Sequence, residues 1–289
     1  MHSIITHPGS AHRDEFLAVC FVIRMYPEAI IYRREPTPED KDDVETVLVD
    51  CGMTHDPLKN NFDHHQMARD ADPCCALTLV LEHLGYDLDV FRSVFPWMAF
   101  TERLDSKGPF AACESLGISR DALAATLSPI EAQCLQMFQG FDEIHPYDGL
   151  WHTMHTIADG IRSHYGKINE RMGVLDRAVE IYCIGDIDVL DATDIDRDDN
   201  PVLGLEQYCL ACAPGTQVTV TQDDRGTGLC LFRRNDDPAI DFSLIEGEPG
   251  VVFAHKNGFV AKIAAGVDPI PLIRKSIVRE TADDVCFAG

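Results

Sequence analysis

The densest chemistry in the chain is Asp63-His64-His65, set between Asn61-Phe62 and Gln66. A solvated loop has no need of two adjacent histidines beside an aspartate. A metal site does, because neutral imidazole and carboxylate together suit divalent manganese, zinc or iron. The tripeptide alone is a common coincidence, and its weight comes from its companions. His7 and His12 bracket Gly9-Ser10, Asp14 follows, Asp50 closes the apolar run Thr46-Val47-Leu48-Val49, and Asp105 precedes Ser106-Lys107-Gly108-Pro109. His7, His12, Asp14, Asp50, His64 and Asp105 are more ligands than one ion needs once water is counted. They suit two divalent ions sharing a bridging carboxylate. Such a pair, roughly 3.5–4 Å apart, lowers the pKa of a water between the ions and clamps the oxygens of a phosphoryl group. His65 is then spare, free to donate to the developing charge or the leaving oxygen. Asp63 could orient a histidine from behind.

The elements that would position these residues read from periodicity. Ser3-Ile4-Ile5-Thr6 is a buried strand ending at His7-Pro8-Gly9-Ser10. Residues 12–23 form a helix with acidic residues in its first turn, closed by Pro27. Residues 29–32 and 46–49 are further strands, with a charged, proline-bearing loop over 35–43 between them. Strand, helix, strand, strand and helix predict a mainly parallel sheet with helices on both faces. Ligands bind such sheets beyond the carboxyl ends of the strands, and His7 and Asp50 stand at two of those ends. Residues 76–84 read as a helix stopped by Gly85. A helix over 89–104, broken near Pro96, would deliver Asp105 at a turn. Residues 143–149 are the best linker, and the apolar spacing from Trp151 to Leu175 predicts one long amphipathic helix.

Beyond it, residues 178–184 read as a strand, and 217–221 with 228–232 as an antiparallel hairpin. Residues 251–254 and 259–263 form a second hairpin, whose Asn257-Gly258 is a two-residue turn signal. A closing helix spans 268–279. The resulting division is a metal-binding α/β domain over 1–145, a connecting helix over 146–177, and a smaller C-terminal mixed α+β domain over 178–289. Three other features have bland readings. His152 and His155 share a helical face but read as hydrogen-bonded or solvated. Asp186 to Asp199 is rich in aspartate, yet Asp199 stands where an EF-hand needs glycine and Leu205 where it needs glutamate. Cys209-Leu210-Ala211-Cys212 has no second pair to make a zinc ribbon.

Composition bounds the partners. The chain has 289 residues, 45% hydrophobic and 25% charged, and a formal net charge of −24. A field of that sign repels extended duplex DNA and leaves small anions that metals and a local basic cluster can hold. Residues 231–279 provide such a cluster, with seven basic residues against six acidic. No apolar run approaches bilayer-spanning length and the N-terminus lacks a signal-peptide pattern, so a cytoplasmic protein without a membrane partner is expected. Homo-oligomerisation is compatible with this. The eleven cysteines, an odd number, sit mostly in apolar segments such as those around Cys20 and Cys183, and read as buried thiols.

His7-x-Gly9-x-x-His12-x-Asp14-Glu15, Asp50-x-Gly52, Phe62-Asp63-His64-His65-Gln66 and Asp105 together resemble the DHH phosphoesterase superfamily. Within it they are similar to the melanocyte-proliferating-gene product family, associated with RNA exonuclease activity. Phe253-Ala254-His255-Lys256-Asn257-Gly258-Phe259 is similar to that family's C-terminal motif. The resemblance implies two manganese ions. His7, His12 and Asp50 would hold one; Asp14, Asp50, His64 and Asp105 would hold the other, with Asp50 bridging. His255, Lys256, Asn257 and Gly258 would contact the substrate's phosphate. The chain departs from the pattern at Ser106-Lys107-Gly108, where the family tends to have Asn-Gly directly after the aspartate.

The function expected is a manganese-dependent phosphodiesterase or exonuclease on short single-stranded RNA or nucleotides, with His65 and Asp63 as catalytic groups. Two alternatives stand beside it. An inorganic pyrophosphatase-like hydrolase would need a denser set of lysines and arginines facing the metals. A non-catalytic nucleotide- or metal-binding module would have no use for His65.

Overall fold

The computed structural model describes residues 2–126, 128–196 and 200–278. The chain forms two compact units, Met1–Gly166 and Lys167–Gly289.

In the first unit the elements run β1 (Ser3–Thr6), α1 (Arg13–Met25), β2 (Ile30–Arg33), α2 (Pro38–Asp42), β3 (Thr46–Val49), β4 (His55–Asp56), β5 (Asn61–Phe62), α3 (Ala76–His83), α4 (Leu88–Val94), α5 (Trp97–Ser115), α6 (Arg120–Thr126), α7 (Pro129–Gln139), β6 (Glu143–Ile144) and the start of α8 (Gly149–Ala178). The sheet order is β4-β5-β3-β1-β2-β6. β1 pairs parallel with β2 and β3, and β3 pairs parallel with β5. Antiparallel β4 and β6 form the edges. This is the mainly parallel sheet with covering helices that the strand-helix alternation predicts.

Alternation along the strands divides the two faces. Ile4, Val47 and Val49 join Phe16, Val19, Leu77, Phe91 and Trp151 in the main core, supplied by α1, α3, α4 and α8. Ile5 and Leu48 point the other way and pack with Cys51 and Tyr32. In-register pairing of Thr6 with Val49 brings the carboxyl ends of β1 and β3 level, so His7 and Asp50 leave the sheet side by side.

Several local expectations change. The stretch 35–43 is not all loop. Thr37 accepts from the Asp40 N–H at 3.3 Å, Asp40 accepts from the Thr37 N–H at 2.6 Å, and Pro38 opens α2 between them. That is a reciprocal cap, compressed into a five-residue helix. The loop before Asp63 contains β4 and β5. Residues 143–149 are not a linker, because Glu143-Ile144 is β6, registered on Tyr32 and Ile31. Asp105 does not sit in a turn but inside α5. The break comes at Gly108, with φ 83° and ψ 170°. Pro109 disfavours the helical conformation in the residue before it, and glycine alone takes this φ and ψ without strain.

The second unit holds the remainder of α8, then β7 (Glu180–Ile184), β8 (Ile187–Asp191), α9 (Leu205–Cys212), β9 (Val218–Gln222), β10 (Leu229–Arg233), β11 (Val251–Ala254), β12 (Val260–Ile263) and α10 (Pro269–Ser276). Its sheet order is β11-β12-β10-β9-β8-β7, with β8–β9 parallel and the rest antiparallel. Ile187, Val189, Val220, Leu231, Phe242 and Ile273 form its core. The acidic stretch 186–199 contains β8, since Ile187, Val189 and Leu190 are buried between its aspartates; residues 197–199 lie outside the described residues. α9, carrying Cys209 and Cys212, has no counterpart in the sequence reading. Cys183 is exposed rather than buried, as is Cys212, and the described cysteines are free thiols. The second hairpin closes through the longer turn His255 to Gly258, with the Gly258 N–H on the His255 carbonyl at 2.8 Å. The closing helix stops at Ser276, and Arg279 lies outside the described residues. Among the described residues no helix is long and apolar enough to cross a membrane.

Candidate metal centre

The first unit gathers the sequence-selected histidines and aspartates at the carboxyl rim of its sheet. Donor atoms of His7, His12 and Asp50 lie within 4.8 Å of one another, as do those of Asp14, Asp50, His64 and Asp105. Asp50, His64 and His65 make a third such group. Asp50 belongs to all three.

Local structure explains how. His7 follows β1, and His12 is the N-cap residue of α1, so Asp14 falls in the first helical turn. Asp50 has φ 56°, a left-handed conformation that aspartate tolerates better than most residues. Its N–H donates to the Phe62 carbonyl at 2.9 Å, which ties β3's exit to the Asp63-His64-His65 stretch. Asp105 comes from α5, three residues before its kink. His64 Nε2 stands 2.6 Å from Asp105 Oδ2 and 3.3 Å from Asp50 Oδ1; His7 Nε2 stands 3.5 Å from Asp50 Oδ2.

These short distances are not well-formed hydrogen bonds. Asp14 Oδ2, both Asp50 carboxylate oxygens, His64 Nε2 and Asp105 Oδ2 are buried with no aligned partner. Buried polar atoms are rarely left so. Five atoms aimed at common points, without hydrogen-bond geometry, fit divalent cations as their partners. The electrostatics agree. Asp50 and then Glu15 push His7 up to about 11. Burial opposes a charge on His64, yet Asp105 and Asp50 outweigh it and push the imidazole up to about 10. Burial, then the charges of Asp50 and Asp105, raise Asp14 well above the usual carboxylate range. Burial works against the Asp50 carboxylate, but His64 and His7 hold its pKa down. Protons here occupy positions that a cation would take over.

Asp63 and His65 form a separate pair. Asp63 is 1% exposed. Its Oδ2 accepts from the Met53 N–H at 2.6 Å, and its Oδ1 from the His65 N–H at 2.9 Å. The same Oδ1 lies 2.7 Å from His65 Nδ1. That contact raises the His65 pKa and directs its Nε2 away from Asp63. The His65 side chain is half exposed.

Two residues outside the original selection fix the rim. Glu15 is fully buried and accepts from Thr6 Oγ1 at 2.9 Å, from the His12 N–H at 3.2 Å and from Arg33 Nη2 at 3.2 Å. Its Oε2 is also 3.0 Å from His7 Nε2. Arg33 donates to the carbonyls of His7 and Gly9 at 3.2 and 3.1 Å. The signal was present: Glu15 stands at the third position of α1, where it can reach back to the cap, and Arg33 ends β2 in register with Thr6.

The other candidates fall elsewhere. His255, Lys256, Asn257 and Gly258 form the β11–β12 turn of the second unit. The first three line a cavity of about 680 Å3 within that unit. His255 Nδ1 accepts from the Asn257 N–H at 3.1 Å, and Gly258, at φ 68°, lies so close to Asp241 that a side chain would collide with it. His155 pairs with Asp159 at 3.2 Å and stacks on Trp151.

Comparisons with known proteins bear on the same segment. The family model MYG1_exonuc, described as uncharacterised protein family UPF0160, matches residues 3–78. MYG1 protein YER156C of Saccharomyces cerevisiae is 42% identical over 67 residues, covering 22% of this chain and 18% of that protein. MYG1 exonuclease of Homo sapiens is 38% identical over 65 residues, covering 21% of this chain and 16% of that one. The chain therefore spans under a fifth of the length of these relatives. Among solved structures, the pGpG-specific phosphodiesterase PggH of Vibrio cholerae aligns over 95% of this chain and 96% of its own, at 13% identity and a TM-score of 0.27. A likeness of that strength carries no weight for fold or chemistry. Residues 3–78, which supply all of the clustered ligands except Asp105, carry the sequence pattern of the UPF0160 family.

Proposed function

We propose that the first unit is the catalytic centre of a DHH-type, metal-dependent phosphodiesterase or exonuclease acting on short single-stranded RNA or nucleotides. The observation that supports it most is the sharing of Asp50 between the group His7, His12, Asp50 and the group Asp14, Asp50, His64, Asp105. One carboxylate with both oxygens lacking aligned partners suits a bridge between two cations. Imidazoles in each group favour manganese over magnesium. When bound, such a pair supplies an activated water and neutralises charge on the phosphoryl group.

The chain's own residues do the rest. Glu15 and Arg33 hold His7 and the loop behind it. Asp63 fixes the His65 tautomer and stabilises its protonated form, so Nε2 can give a proton to the leaving oxygen. Burial of Asp14, Asp50, Asp63 and His64 limits water around the reacting atoms. The net charge of −24 opposes long polyanions and leaves short substrates favoured.

The test is hydrolysis of oligoribonucleotides, dinucleotides and pyrophosphate by the purified chain with and without manganese, beside His65→Ala. Manganese-dependent cleavage of a phosphodiester, reduced in the variant by about 100-fold or more, is expected. Cleavage of pyrophosphate alone would overturn the phosphodiesterase reading, and no turnover of any phosphate compound would overturn catalysis.

A further inference from the structure

The first unit has a second concave site, away from the clustered ligands. Asp14 stands in the first turn of α1 and Arg24 in its last. At 1.5 Å per residue, about 15 Å of helix separates them. At the Arg24 end, residues of α1, α8 and the turn after α3 line a cavity of about 460 Å3. Small-molecule sites are commonly of that size, roughly 300–1,000 Å3. The lining holds two arginines, Arg24 and Arg162, and no carboxylate. In a chain of net charge −24 that is a local reversal of sign.

The apolar wall is aromatic. Tyr86 lies edge-on to Phe21 with ring centres 5.7 Å apart, and 4.9 Å from Tyr165. Phe21 and Tyr165 are buried, whereas Tyr86 is half-buried and is the ring a ligand can reach. The polar groups around it have bonding capacity to spare. Arg24 Nη1 pairs with Asp159 Oδ1 at 2.5 Å, yet its Nε is buried with no partner. Among the described residues no carboxylate pairs with Arg162, which enters the lining from α8. Burial raises the Tyr86 phenol above its usual range while the charges of Arg162 and Arg24 pull it down, so both guanidinium groups stand near that hydroxyl. The Asp87 N–H donates to the Tyr165 hydroxyl at 3.3 Å, which leaves the phenol proton to give. The Asp87 carboxylate itself is taken up by the Asp89 and Val90 N–H groups, each at 3.0 Å.

We propose that this cavity binds a small aromatic oxyanion: a flat ring laid against Tyr86, with its phosphate or carboxylate held by Arg162 and Arg24. The planar guanidinium matches the paired oxygens of either group, and the tyrosine ring offers a face or edge to the ligand's own ring. An inorganic anion would leave the aromatic wall uncovered. An uncharged ring would leave Arg162 unpaired. The site does not depend on the phosphodiesterase reading and would stand if the metal centre hydrolysed nothing.

The experiment uses the full chain after chelator treatment, so that no bound cation can attract phosphate. Adenosine monophosphate, benzoate, adenosine and inorganic phosphate are titrated calorimetrically into wild type, Arg162→Gln, Gly166→Leu and Asp50→Asn. Gly166 lines the cavity within α8, and a Cβ there meets nothing within 4 Å. Leucine at that position fills the cavity and favours the helix, so the variant stays folded. At least one of the two ring-bearing anions should bind wild type, and the tighter of them tells a nucleotide site from an aryl carboxylate site. Adenosine and inorganic phosphate should bind at least about 10-fold more weakly, and Arg162→Gln should weaken the ring-bearing anion by about 10- to 100-fold, the range for a hydrogen bond to a charged group. Gly166→Leu should abolish binding, and Asp50→Asn should leave it unchanged. No binding of either ring-bearing anion, inorganic phosphate binding as tightly as they do, or affinity that survives both Arg162→Gln and Gly166→Leu overturns the site. Loss of binding in Asp50→Asn would move the ligand to the metal centre and overturns it as well. None of these results bears on phosphodiester cleavage.

Discussion

The two ligand groups that share Asp50 differ in kind. Asp14, Asp50 and His64 are at most 7% exposed, and Asp105 only moderately more. The other group ends in His12, whose side chain is 54% exposed at a helix cap. One position is thus built from the protein interior with three carboxylates, the other from a strand end and a cap with one. Carboxylate number and burial both raise the attraction for a cation, since solvent screens less there. Two ions bound here should differ in affinity, the interior one tighter and slower to leave. The rim position opens to solvent at His12.

The most damaging test of that picture is Asp50→Asn. It removes the shared charge from both groups, and metal content by emission spectroscopy should fall from two ions to fewer than one, with hydrolysis down by about 1,000-fold or more. Next come the substitutions that separate the groups. His12→Ala should cost the weaker ion alone, leaving one tightly held manganese per chain. Asp105→Asn should loosen the interior ion. If His12→Ala and Asp105→Asn lower metal content identically, the two positions are not distinct and the comparison fails. One step milder is Glu15→Gln, which touches His7 and the His12 backbone but no member of the interior group. The weaker ion's affinity should drop by about 10- to 100-fold, read by calorimetry, while the tighter one holds.

What could be read in the sequence followed periodicity and charge. Ser3–Thr6 and Thr46–Val49 are short runs with apolar centres, and their parallel pairing placed His7 and Asp50 at one rim. Gathering His64 there needed only a short return. Asp105 was harder, because its position depends on where α5 breaks, and the Gly108-Pro109 signal marks the kink rather than the residue before it. Glu15 shows itself only as a helix-cap partner of His12, three residues away. Arg33 acts through contacts between residues far apart in the chain, on the carbonyls of His7 and Gly9. Spacing along one segment does not reveal those. β8 was lost among aspartates because Asp188 and Asp191 interrupt its apolar residues, while Ile187 and Val189 carry the core.

The mildest test sharpens the comparison through pH. In the metal-free chain His7 is pushed up to about 11 by Asp50 and Glu15, so near neutrality it carries a proton that binding must expel. His64, up to about 10 once Asp105 and Asp50 outweigh its burial, does the same for the interior group. A raised pKa on a ligand that binds deprotonated makes affinity rise with pH, about tenfold per unit for each proton expelled, until pH passes that pKa. Asp14 is raised too, by burial and by Asp50 and Asp105, which adds to the proton competition in the interior group. Manganese titrations between pH 6 and 8 in buffers of different ionisation enthalpy would count those protons. The expected result is a steeper pH slope for the tighter ion than for the weaker one. Equal slopes would mean that Asp14 is already ionised and that burial, rather than proton competition, separates the two positions.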